Sequence, residues 1–291
     1  MAATLMDGKA LAARVRAEVA EEVAQLGSLG LATVLVGDDP ASEVYIRHKH
    51  RACEEVGIRA LDHRLPAETS QEEVLELVRR LNEDDEVDGL LVQTPLPDHL
   101  DEPQILGAVA PVKDVDGFHP FNAGQLYAGT PTHVPATPLG IMRLLQEYEI
   151  ALRGARAVVV GRSTIVGKPV AMLLLAEHAT VTVCHSRTQD LARHTLDADV
   201  LVAAVGVPAT IAPEMVKPGA AVVDVGITRT EAGLVGDVDP GAAEVAGHLT
   251  PVPGGVGPMT VAYLLRNTIR AARYRRGDLA FPKGWRYGSA A

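Results

Sequence analysis

The sequence predicts an α/β protein of two domains, each with a parallel sheet, and the second sheet is predicted to be doubly wound. Three observations support this fold class. The chain has 291 residues, about twice the length of a typical domain. Short apolar segments alternate with amphipathic segments of helical period along most of it. The predicted strands are almost continuously apolar, which is typical of parallel strands covered on both faces.

The N-terminal half shows this alternation in order. Apolar residues recur at helical spacing over 7–26, which predicts a helix. A continuous apolar run over 31–37 predicts a strand. Asp39-Pro40 predicts a helix start, because a carboxylate caps free N–H groups and proline fits the first turn. Gly57 is predicted to end that helix. A strand at 58–65, a helix at 70–83 and a strand at 87–93 follow.

The remaining elements are separated from these by a segment rich in proline and glycine. Loops are predicted over 94–138, with one short helix at 103–109. The alternation then restarts at Arg153. It predicts strands at 156–160, 180–184, 200–205 and 220–225, and helices at 168–178 and 260–273. The sequence from Arg276 onward shows no periodicity, and a loosely held extension is predicted there.

Composition excludes several classes of function. The formal net charge of −10 argues against nucleic acid or an anionic membrane as a partner. The apolar run at 170–176 is far shorter than the roughly 20 residues of a membrane span. Cys53 and Cys184 form no Cys-x-x-Cys pair, and His48 and His50 do not converge on a metal, so no zinc site or disulfide framework is predicted. The N-terminus lacks a secretory signal pattern, and a soluble cytoplasmic enzyme is expected.

A glycine-rich turn between a predicted strand and helix indicates a dinucleotide site. Gly161, Ser163 and Gly167 lie in Gly-Arg-Ser-Thr-Ile-Val-Gly-Lys-Pro. Glycines permit close approach of a diphosphate, and the helix N-terminus attracts its charge. The pattern differs from Gly-x-Gly-x-x-Gly, so an ordinary strand-to-helix turn remains an alternative.

The next strand bears on which dinucleotide would bind. It ends Cys-His-Ser-Arg-Thr, without the acid that usually binds the ribose of NAD. Ser186 and Arg187, together with Arg162, instead offer donors to the 2′-phosphate of NADP. A solvated surface charge is the competing interpretation of Arg187. The sequence therefore favours NADP.

Lys49 is predicted on the apolar face of the second helix. It follows Tyr45 by one turn and shares a sector with Cys53, whereas Arg47 and Arg51 lie opposite. A buried lysine has a lowered pKa, which suits proton transfer, and Tyr45 would hydrogen-bond the lysine or a shared ligand. The competing interpretation is a lysine whose stem covers apolar surface while its amine reaches water.

Three further segments place polar or glycine residues at potential ligand sites. Gln93 lies at the carboxyl end of a strand, where open α/β sheets bind ligands. The turn at 113–117 carries Asp114 and Asp116, which either face water or accept bonds from a ligand. Three glycines and three prolines in 251–260 predict a rigid loop that ends with Thr260 capping the last helix, or else a plain connector.

Taken in order, six motifs resemble those of the bifunctional methylenetetrahydrofolate dehydrogenase/methenyltetrahydrofolate cyclohydrolase family, the FolD family. They are Ser42-x-x-Tyr45-x-x-x-Lys49, Val92-Gln93-x-Pro95-Leu96, Lys113-Asp-Val-Asp-Gly117, Gly161-Arg-Ser-x-x-Val-Gly-x-Pro169, Cys184-His-Ser186 and Pro253-Gly-Gly-Val-Gly-Pro-Met-Thr-Val261. Two positions depart from the family pattern. Thr94 replaces the usual Leu, and Ala136 replaces the usual Cys. Neither is assigned to the chemistry.

The resemblance implies a fold and a reaction. It implies a catalytic, folate-binding domain at 1–136 plus 253–291, with the C-terminal helix packing back on it, and a Rossmann-type NADP domain at 137–252. A folate cleft would lie between them. There 5,10-methylenetetrahydrofolate would be oxidised by NADP+ to 5,10-methenyltetrahydrofolate, and this product hydrolysed to 10-formyltetrahydrofolate. Tetrahydrofolate derivatives would be the substrates, and family members are homodimers that pair through the cofactor domain.

The resemblance also implies residue roles. Lys49 would be the catalytic residue, acting as base, acid or electrostatic anchor, with Tyr45 and Gln93 orienting it and the folate, and Asp116 holding the pterin. The other expected contacts are Pro253, Gly254 and Gly255 with the folate, and Gly161, Arg162, Ser163, Gly167, Ser186, Arg187, Ile227 and Thr260 with the cofactor. No metal is expected, because the iminium product needs only a positioned water and one proton-transfer group.

Three other functions stay open. The first is a monofunctional NADP-dependent methylenetetrahydrofolate dehydrogenase, against which the joint presence of Tyr45, Lys49 and Gln93 argues. The second is an NADP-dependent α/β dehydrogenase acting on a small acid, which would leave the set of Tyr45, Lys49 and Asp116 unexplained. The third is a non-enzymatic NADP-binding protein, which has no positive feature beyond the nucleotide site.

Overall fold

A computed structural model of the chain describes residues 2–231 and 233–282. Its contacts separate the described residues into two compact units. Unit 1 takes those within Met1–Arg14 and Thr137–Tyr263, and unit 2 takes those within Val15–Ala136 and Leu264–Ala291. Two helices, α1 (Gly8–Leu26) and α9 (Val256–Arg276), contribute residues to both units.

Unit 2 contains a three-stranded parallel sheet in the order β3-β2-β4. Its elements after α1 are β2 (Leu29–Val36), α2 (Pro40–Val56), β3 (Ile58–Leu65), α3 (Gln71–Glu83), β4 (Gly89–Val92), α4 (Glu102–Ala108) and α5 (Pro120–Tyr127). Every residue of the central strand β2 is buried, as expected for a parallel strand covered on both faces. The sheet therefore follows the predicted alternation.

The start and end of α2 confirm the sequence signals. The Asp39 carboxylate accepts the Ser42 N–H at 2.8 Å, and this bond holds its pKa below the usual value. Gly57 ends the helix in the left-handed conformation, with φ of 83°. The helix phase is thereby fixed at both ends, which determines the face that carries Lys49.

The segment 94–138 contains more helix than predicted. The helix expected at 103–109 is present as α4, but α5 and the first residues of α6 (Ala136–Glu147) were not expected. Pro120 occupies the first turn of α5, and the His119 ring accepts the Phe121 N–H at 2.9 Å as a cap. Proline is compatible with the first turn of a helix, so this proline marks a helix start where it was interpreted as a loop residue.

Unit 1 contains a six-stranded parallel sheet in the order β1-β11-β8-β7-β5-β6. Its strands and helices are β1 (Thr4–Leu5), α6, β5 (Arg156–Val160), α7 (Gly167–Ala176), β6 (Thr180–Cys184), α8 (Leu191–Thr195), β7 (Val200–Ala203), β8 (Ala221–Asp224), the antiparallel hairpin β9 (Thr228–Thr230) and β10 (Gly233–Val235), β11 (His248–Leu249) and the start of α9. The chain passes from β5 to β6 on one side and then to β7 on the other. The strand order therefore reverses beside β5, as in a doubly wound Rossmann-type sheet.

The contact-based units differ from the predicted domain boundaries in two places. Residues 2–14 and 253–263 belong to unit 1, whereas the predicted boundaries place them with the other domain. Thr4 pairs with His248 in the parallel ladder, and the Lys9 N–H donates to the Gly254 carbonyl at 2.8 Å. Pairing between such distant segments leaves no periodic signal in the sequence.

The C-terminal helix and the residues after it also differ from expectation. Helix α9 begins at Val256, so Thr260 does not cap it; the Thr260 hydroxyl instead lies 2.9 Å from the Thr137 hydroxyl. Phe281, predicted in a loose extension, stacks on Phe121 with ring centroids 5.6 Å apart and is therefore packed. The rest of that predicted extension, 283–291, lies outside the described residues.

None of the helices in the described part of the chain combines the length and the apolarity needed to cross a membrane.

Candidate active site

The Lys49 amine is turned into unit 2. The residue is only 7% exposed, and its Nζ donates to Gln93 Oε1 at 3.1 Å. Nζ also lies 5.5 Å from the centroid of the Tyr45 ring, within range of a cation–π contact. The structure thus brings together Tyr45, Lys49 and Gln93 as predicted, and the alternative of an amine that reaches water is wrong.

Gln93 is oriented by a second bond. Its Nε2 donates to the Thr94 carbonyl at 2.7 Å, so its Oε1 is the atom left to accept from Lys49. Thr94 contributes only a backbone atom to this arrangement, which explains why the departure from the family pattern at this position leaves it intact.

The electrostatics of the site couple Lys49 to Asp116. Burial lowers the pKa of the Lys49 ammonium, and the nearby Asp116 carboxylate opposes that change. Burial raises the pKa of Asp116 to about 6, although the Lys49 charge lowers it. Desolvation therefore moves both pKa values toward neutrality, the range in which a proton-transfer group is useful, and the mutual attraction of the two charges limits that change.

The other charged residues of the turn at 113–117 have structural roles. The buried Lys113 amine donates to the carbonyls of Leu81 and Asp84, at 3.0 and 2.6 Å, at the carboxyl end of α3. Asp114 is buried and accepts the His119 N–H at 2.8 Å. Only Asp116 of these three acts on the Lys49 charge. The sequence alone could not separate them.

Tyr45 and Cys53 flank Lys49 on α2 with neutral groups. Desolvation raises the pKa of the Tyr45 hydroxyl above its usual value, so the hydroxyl stays a donor at neutral pH. Burial raises the pKa of the Cys53 thiol to about 12, so it adds no charge beside the lysine. Asp116 is therefore the carboxylate that opposes the buried ammonium.

The glycine-rich turn after β5 has the geometry of a diphosphate site. A Cβ on Gly161, whose φ is 130°, would lie 2.2 Å from the Ala204 carbonyl oxygen, and one on Gly167 would lie 2.2 Å from the Gly161 oxygen. Both positions therefore require glycine. Ser163 Oγ accepts the N–H groups of Val166 and Gly167 at 3.1 and 3.2 Å, while residues 162–165 remain exposed at the start of α7.

The donors predicted for a 2′-phosphate lie at the ends of paired strands. Val160 of β5 is opposite Cys184 of β6, and the Gly161 N–H continues the ladder to the Cys184 carbonyl at 2.9 Å. The turns that carry Arg162 and Arg187 are therefore neighbours. Both side chains are exposed, and neither forms an ion pair with any residue the structure describes. This donor set fits NADP.

The remaining predicted contacts are placed as follows. Ser186 is exposed in the turn after β6, and Ile227 is exposed just after β8. The loop at 253–255 is tightly held, since a Cβ on Gly255 would lie 2.7 Å from the Pro251 oxygen. Roles of Pro253, Gly254, Gly255 and Thr260 in binding stay predictions. No cluster of three or more potential metal ligands occurs among residues 2–231 and 233–282.

Sequence reasoning passed over one feature of unit 1. Asp224, the last residue of β8, and Asp237, which follows β10, are buried charged residues. The signal that would have found them is a carboxylate adjoining glycine at a strand end, in Val-Asp-Val-Gly and Gly-Asp-Val.

One unit has a Rossmann-type sheet with an open glycine-lined turn, and the other buries a lysine that donates to a glutamine and is opposed by a carboxylate. Together these features define a dinucleotide-dependent enzyme. The family model described as tetrahydrofolate dehydrogenase/cyclohydrolase, catalytic domain, matches residues 6–116. The corresponding NAD(P)-binding domain model matches residues 135–276. The chain belongs to the tetrahydrofolate dehydrogenase/cyclohydrolase family.

Individual relatives agree with this assignment. The chain is 60% identical to the bifunctional protein FolD of Moorella thermoacetica, over 94% of this chain and 100% of that one. It is similar to the crystal structure of FolD from Campylobacter jejuni, with a TM-score of 0.92, 49% identity, and 94% and 100% of the two chains covered. A Trypanosoma brucei FolD, complexed with NADP cofactor and inhibitor, matches with a TM-score of 0.90, 41% identity, and 96% and 100% coverage.

The opposing effects on Lys49 predict its titration. Replacement of Asp116 by Asn removes the carboxylate that stabilises the ammonium and leaves the desolvation, so the Lys49 pKa should fall further. NMR titration of protein labelled with ¹³Cε-lysine, with Lys49 assigned from Lys49→Met, measures it. Asp98→Asn, at an exposed carboxylate of the same unit, is the matched control and should leave the titration unchanged. An unchanged Lys49 pKa in Asp116→Asn would show that the two groups are not coupled.

Proposed function

We propose that the protein oxidises 5,10-methylenetetrahydrofolate to 5,10-methenyltetrahydrofolate with NADP+ and hydrolyses this product to 10-formyltetrahydrofolate. The observation that carries the proposal is the buried Lys49 amine, held by Gln93 and opposed by Asp116, in a chain of this family. The name of the Moorella relative, bifunctional at 60% identity, supports two activities rather than a dehydrogenase alone.

In the first step, hydride transfer, the chain has to position the folate and the cofactor and does not need to supply an acid or a base. NADP+, when bound, supplies the acceptor for a hydride from the methylene carbon of the folate. The turn after β5 holds the diphosphate with exposed backbone and the N-terminal end of α7, while Arg162 and Arg187 bind the 2′-phosphate. Gly161 lets the turn pass close to the Ala204 carbonyl, an approach that a side chain at this position would block.

The second step uses the lysine. A water oxygen bonds to the methenyl carbon and the carbon–N5 bond breaks, with one proton passing to N5 and one being released. Burial lowers the pKa of Lys49, which suits its amine to take a proton from the attacking water. Gln93 fixes the amine by accepting from it. The Asp116 carboxylate accepts the amino and ring N–H groups of the pterin, which holds the methenyl carbon beside the lysine.

The assay follows both products at once. Methylenetetrahydrofolate and NADP+ should yield NADPH without build-up of methenyl absorbance, and methenyltetrahydrofolate supplied alone should be hydrolysed. Lys49→Gln should lower the hydrolysis rate by about 100-fold or more while folate binding persists. Lys217→Gln, an exposed lysine of unit 1, is the control and should hydrolyse normally.

Two results would contradict this assignment. Methenyl that accumulates one-for-one with NADPH in the wild-type enzyme would leave a dehydrogenase only. Full hydrolysis by Lys49→Gln would remove the lysine from the mechanism. In the first case the protein would be the monofunctional alternative that the sequence left open.

The cofactor preference has its own test. Arg162→Ala and Arg187→Ala should each raise the KM for NADP+ by about tenfold, because each removes a charged donor to the 2′-phosphate. The KM for NAD+, which lacks that phosphate, should change little. Arg193→Ala, an exposed arginine of α8, is the control. Equal losses for NADP+ and NAD+ would show that the guanidinium groups do not bind the 2′-phosphate.

We also propose a homodimer that pairs through unit 1. Strand β6 is an edge of the sheet and is largely exposed, with Val183 40% and the neighbouring Leu175 of α7 55% exposed. An unpaired apolar edge is a template for a second copy of the same strand, and such an interface closes as a two-fold dimer. The exposed apolar side chains would be buried there.

Light scattering after size-exclusion chromatography tests the dimer. The wild-type mass should be twice that of the chain, and Val183→Lys should shift it toward the monomer because a charge would enter the apolar interface. Leu196→Lys, at another exposed apolar residue of unit 1, should stay dimeric. A Val183→Lys protein that remains fully dimeric would place the interface elsewhere.

Its location is inferred to be the cytoplasm. Cys53 and Cys184 are both buried free thiols, a form that a reducing compartment maintains.

A further inference from the structure

Two carboxylates are buried at the end of unit 1 where the strands β7 and β8 finish. Asp224 is the last residue of β8 and is 4% exposed, while Asp237 follows β10 and is fully buried. Neither forms an ion pair with a residue that the structure describes. Burial raises the pKa of Asp224 to about 6, and the Asp237 charge adds to this. Such burial costs free energy and calls for a reason.

Among the described residues, the Asp224 carboxylate accepts only from backbone N–H groups. Its Oδ1 accepts the N–H groups of Gly226 and Asp237 at 2.9 and 2.8 Å, and its Oδ2 accepts the Val238 N–H at 3.0 Å. A Cβ on Gly236 would lie 1.8 Å from Oδ2, so the backbone needs glycine there to approach. Three N–H donors and no hydroxyl or carbonyl partner suit an ionised carboxylate.

Asp237 joins this turn to the loop after β7. Its Oδ2 accepts the N–H groups of Val205 and Gly206 at 2.6 and 3.0 Å. Its Oδ1 has no hydrogen-bond partner among the described residues, and a Cβ on Gly226 would lie 2.2 Å from it. Asp237 therefore uses one oxygen to fix a loop and leaves the other as a buried, uncompensated acceptor.

The strand order relates this pair to the two halves of the cofactor. A dinucleotide crosses a Rossmann-type sheet at the point where the strand order reverses, here beside β5. The 2′-phosphate donors follow β6, which assigns the adenosine half to that side. The nicotinamide half then belongs to the side of β7 and β8, where Ile227, three residues after Asp224, is exposed.

We propose that Asp224 and Asp237 select the oxidation state of the cofactor, their buried negative charge favouring the cationic nicotinamide ring of NADP+ over the neutral ring of NADPH. The inference rests on the proposed function for the identity of the cofactor. Both are positioning residues, since they act through the field and through the loops after β7 and β8. In a poorly screened interior this field extends over several ångströms.

The electrostatic field of the two carboxylates also affects how the oxidised cofactor enters and the reduced cofactor leaves. Hydride transfer removes the positive charge of the ring, so the attraction present for the incoming cofactor is absent for the product. The pair thus helps NADP+ to enter and NADPH to leave without touching either.

Calorimetric titration of both cofactor forms, without folate, tests the inference at one pH and one salt concentration. In Asp237→Asn the amide oxygen can still accept from Val205 and Gly206, and the amide NH₂ takes the place of the unpartnered oxygen, so mainly the charge is lost. NADP+ affinity should fall about fivefold to tenfold and NADPH affinity should stay within about twofold. Glu214→Gln, an exposed carboxylate of the same unit, should change neither by more than about twofold.

A different pattern would contradict the proposal that Asp224 and Asp237 favour NADP+ over NADPH. Equal losses of NADP+ and NADPH affinity in Asp237→Asn would show that Asp237 only shapes its loop. Asp237→Ala removes the loop contacts as well as the charge, so it should weaken the binding of both cofactor forms in addition to any loss of preference for NADP+. Should Asp237→Asn fail to fold by circular dichroism, the wild-type protein decides: preference for NADPH by tenfold or more contradicts the proposal, and equal or tighter binding of NADP+ supports it.

The two proposals fail separately. A protein that binds both cofactor forms with the expected change of ratio but oxidises no folate would overturn the proposed function alone. If the wild-type protein oxidises methylenetetrahydrofolate but Asp237→Asn leaves the ratio of NADP+ to NADPH affinity unchanged, only the proposal for Asp224 and Asp237 is contradicted.

Discussion

An ammonium group buried in a protein must find acceptors and an opposing charge, and the arrangement of unit 2 around Lys49 follows from that requirement. Gln93 accepts from the amine, and a bond to the Thr94 carbonyl fixes the glutamine. Asp116 supplies the opposing charge. The caps at Asp39 and Gly57 set the phase of α2 that turns the lysine inward. Loss of Gln93 would leave the amine without its acceptor, and a change in the phase of α2 would turn it toward water, where its pKa would return to its usual value.

In unit 1 the corresponding constraint is the close approach of backbone segments, which leaves no space for a side chain between them. At Gly161, Gly167 and Gly236 a side chain would meet a carbonyl or carboxylate oxygen at about 2 Å, so these turns hold their shape only with glycine. At Gly161 and Gly167 the close approach of the backbone leaves the start of α7 open. At Gly236 it packs the turn that carries Asp237 against the turn that carries Asp224. One end of the sheet thereby carries both the open glycine turn that we propose holds the phosphates and, on the opposite side of β5, the two buried carboxylates that we propose favour the nicotinamide half.

The parts of the fold that the sequence predicted are those governed by neighbouring residues. Strands β3, β5 and β6 have the predicted bounds. Strand β5 is the covered apolar run that the sequence predicts, whereas β3 and β6 are edge strands with exposed residues, because edge position depends on the strand order of the sheet. Helix α5 was missed because Pro120 is ambiguous: proline ends most helices but also begins many, and the capping His119 gave no strong signal. Strand β1 was missed because its two residues are specified only by their partner β11.

The sequence by itself determined the alternation of strands and helices, the buried phase of Lys49, the glycine turn, and the absence of an acid after β6, since each depends on residues within a few positions of one another. Tertiary structure decided which charge of the turn at 113–117 opposes the lysine, which residues join each unit, and that Asp224 and Asp237 share one buried turn. These depend on packing between distant segments, and the free energy of a buried charge is set by what surrounds it in space rather than by its neighbours in the chain.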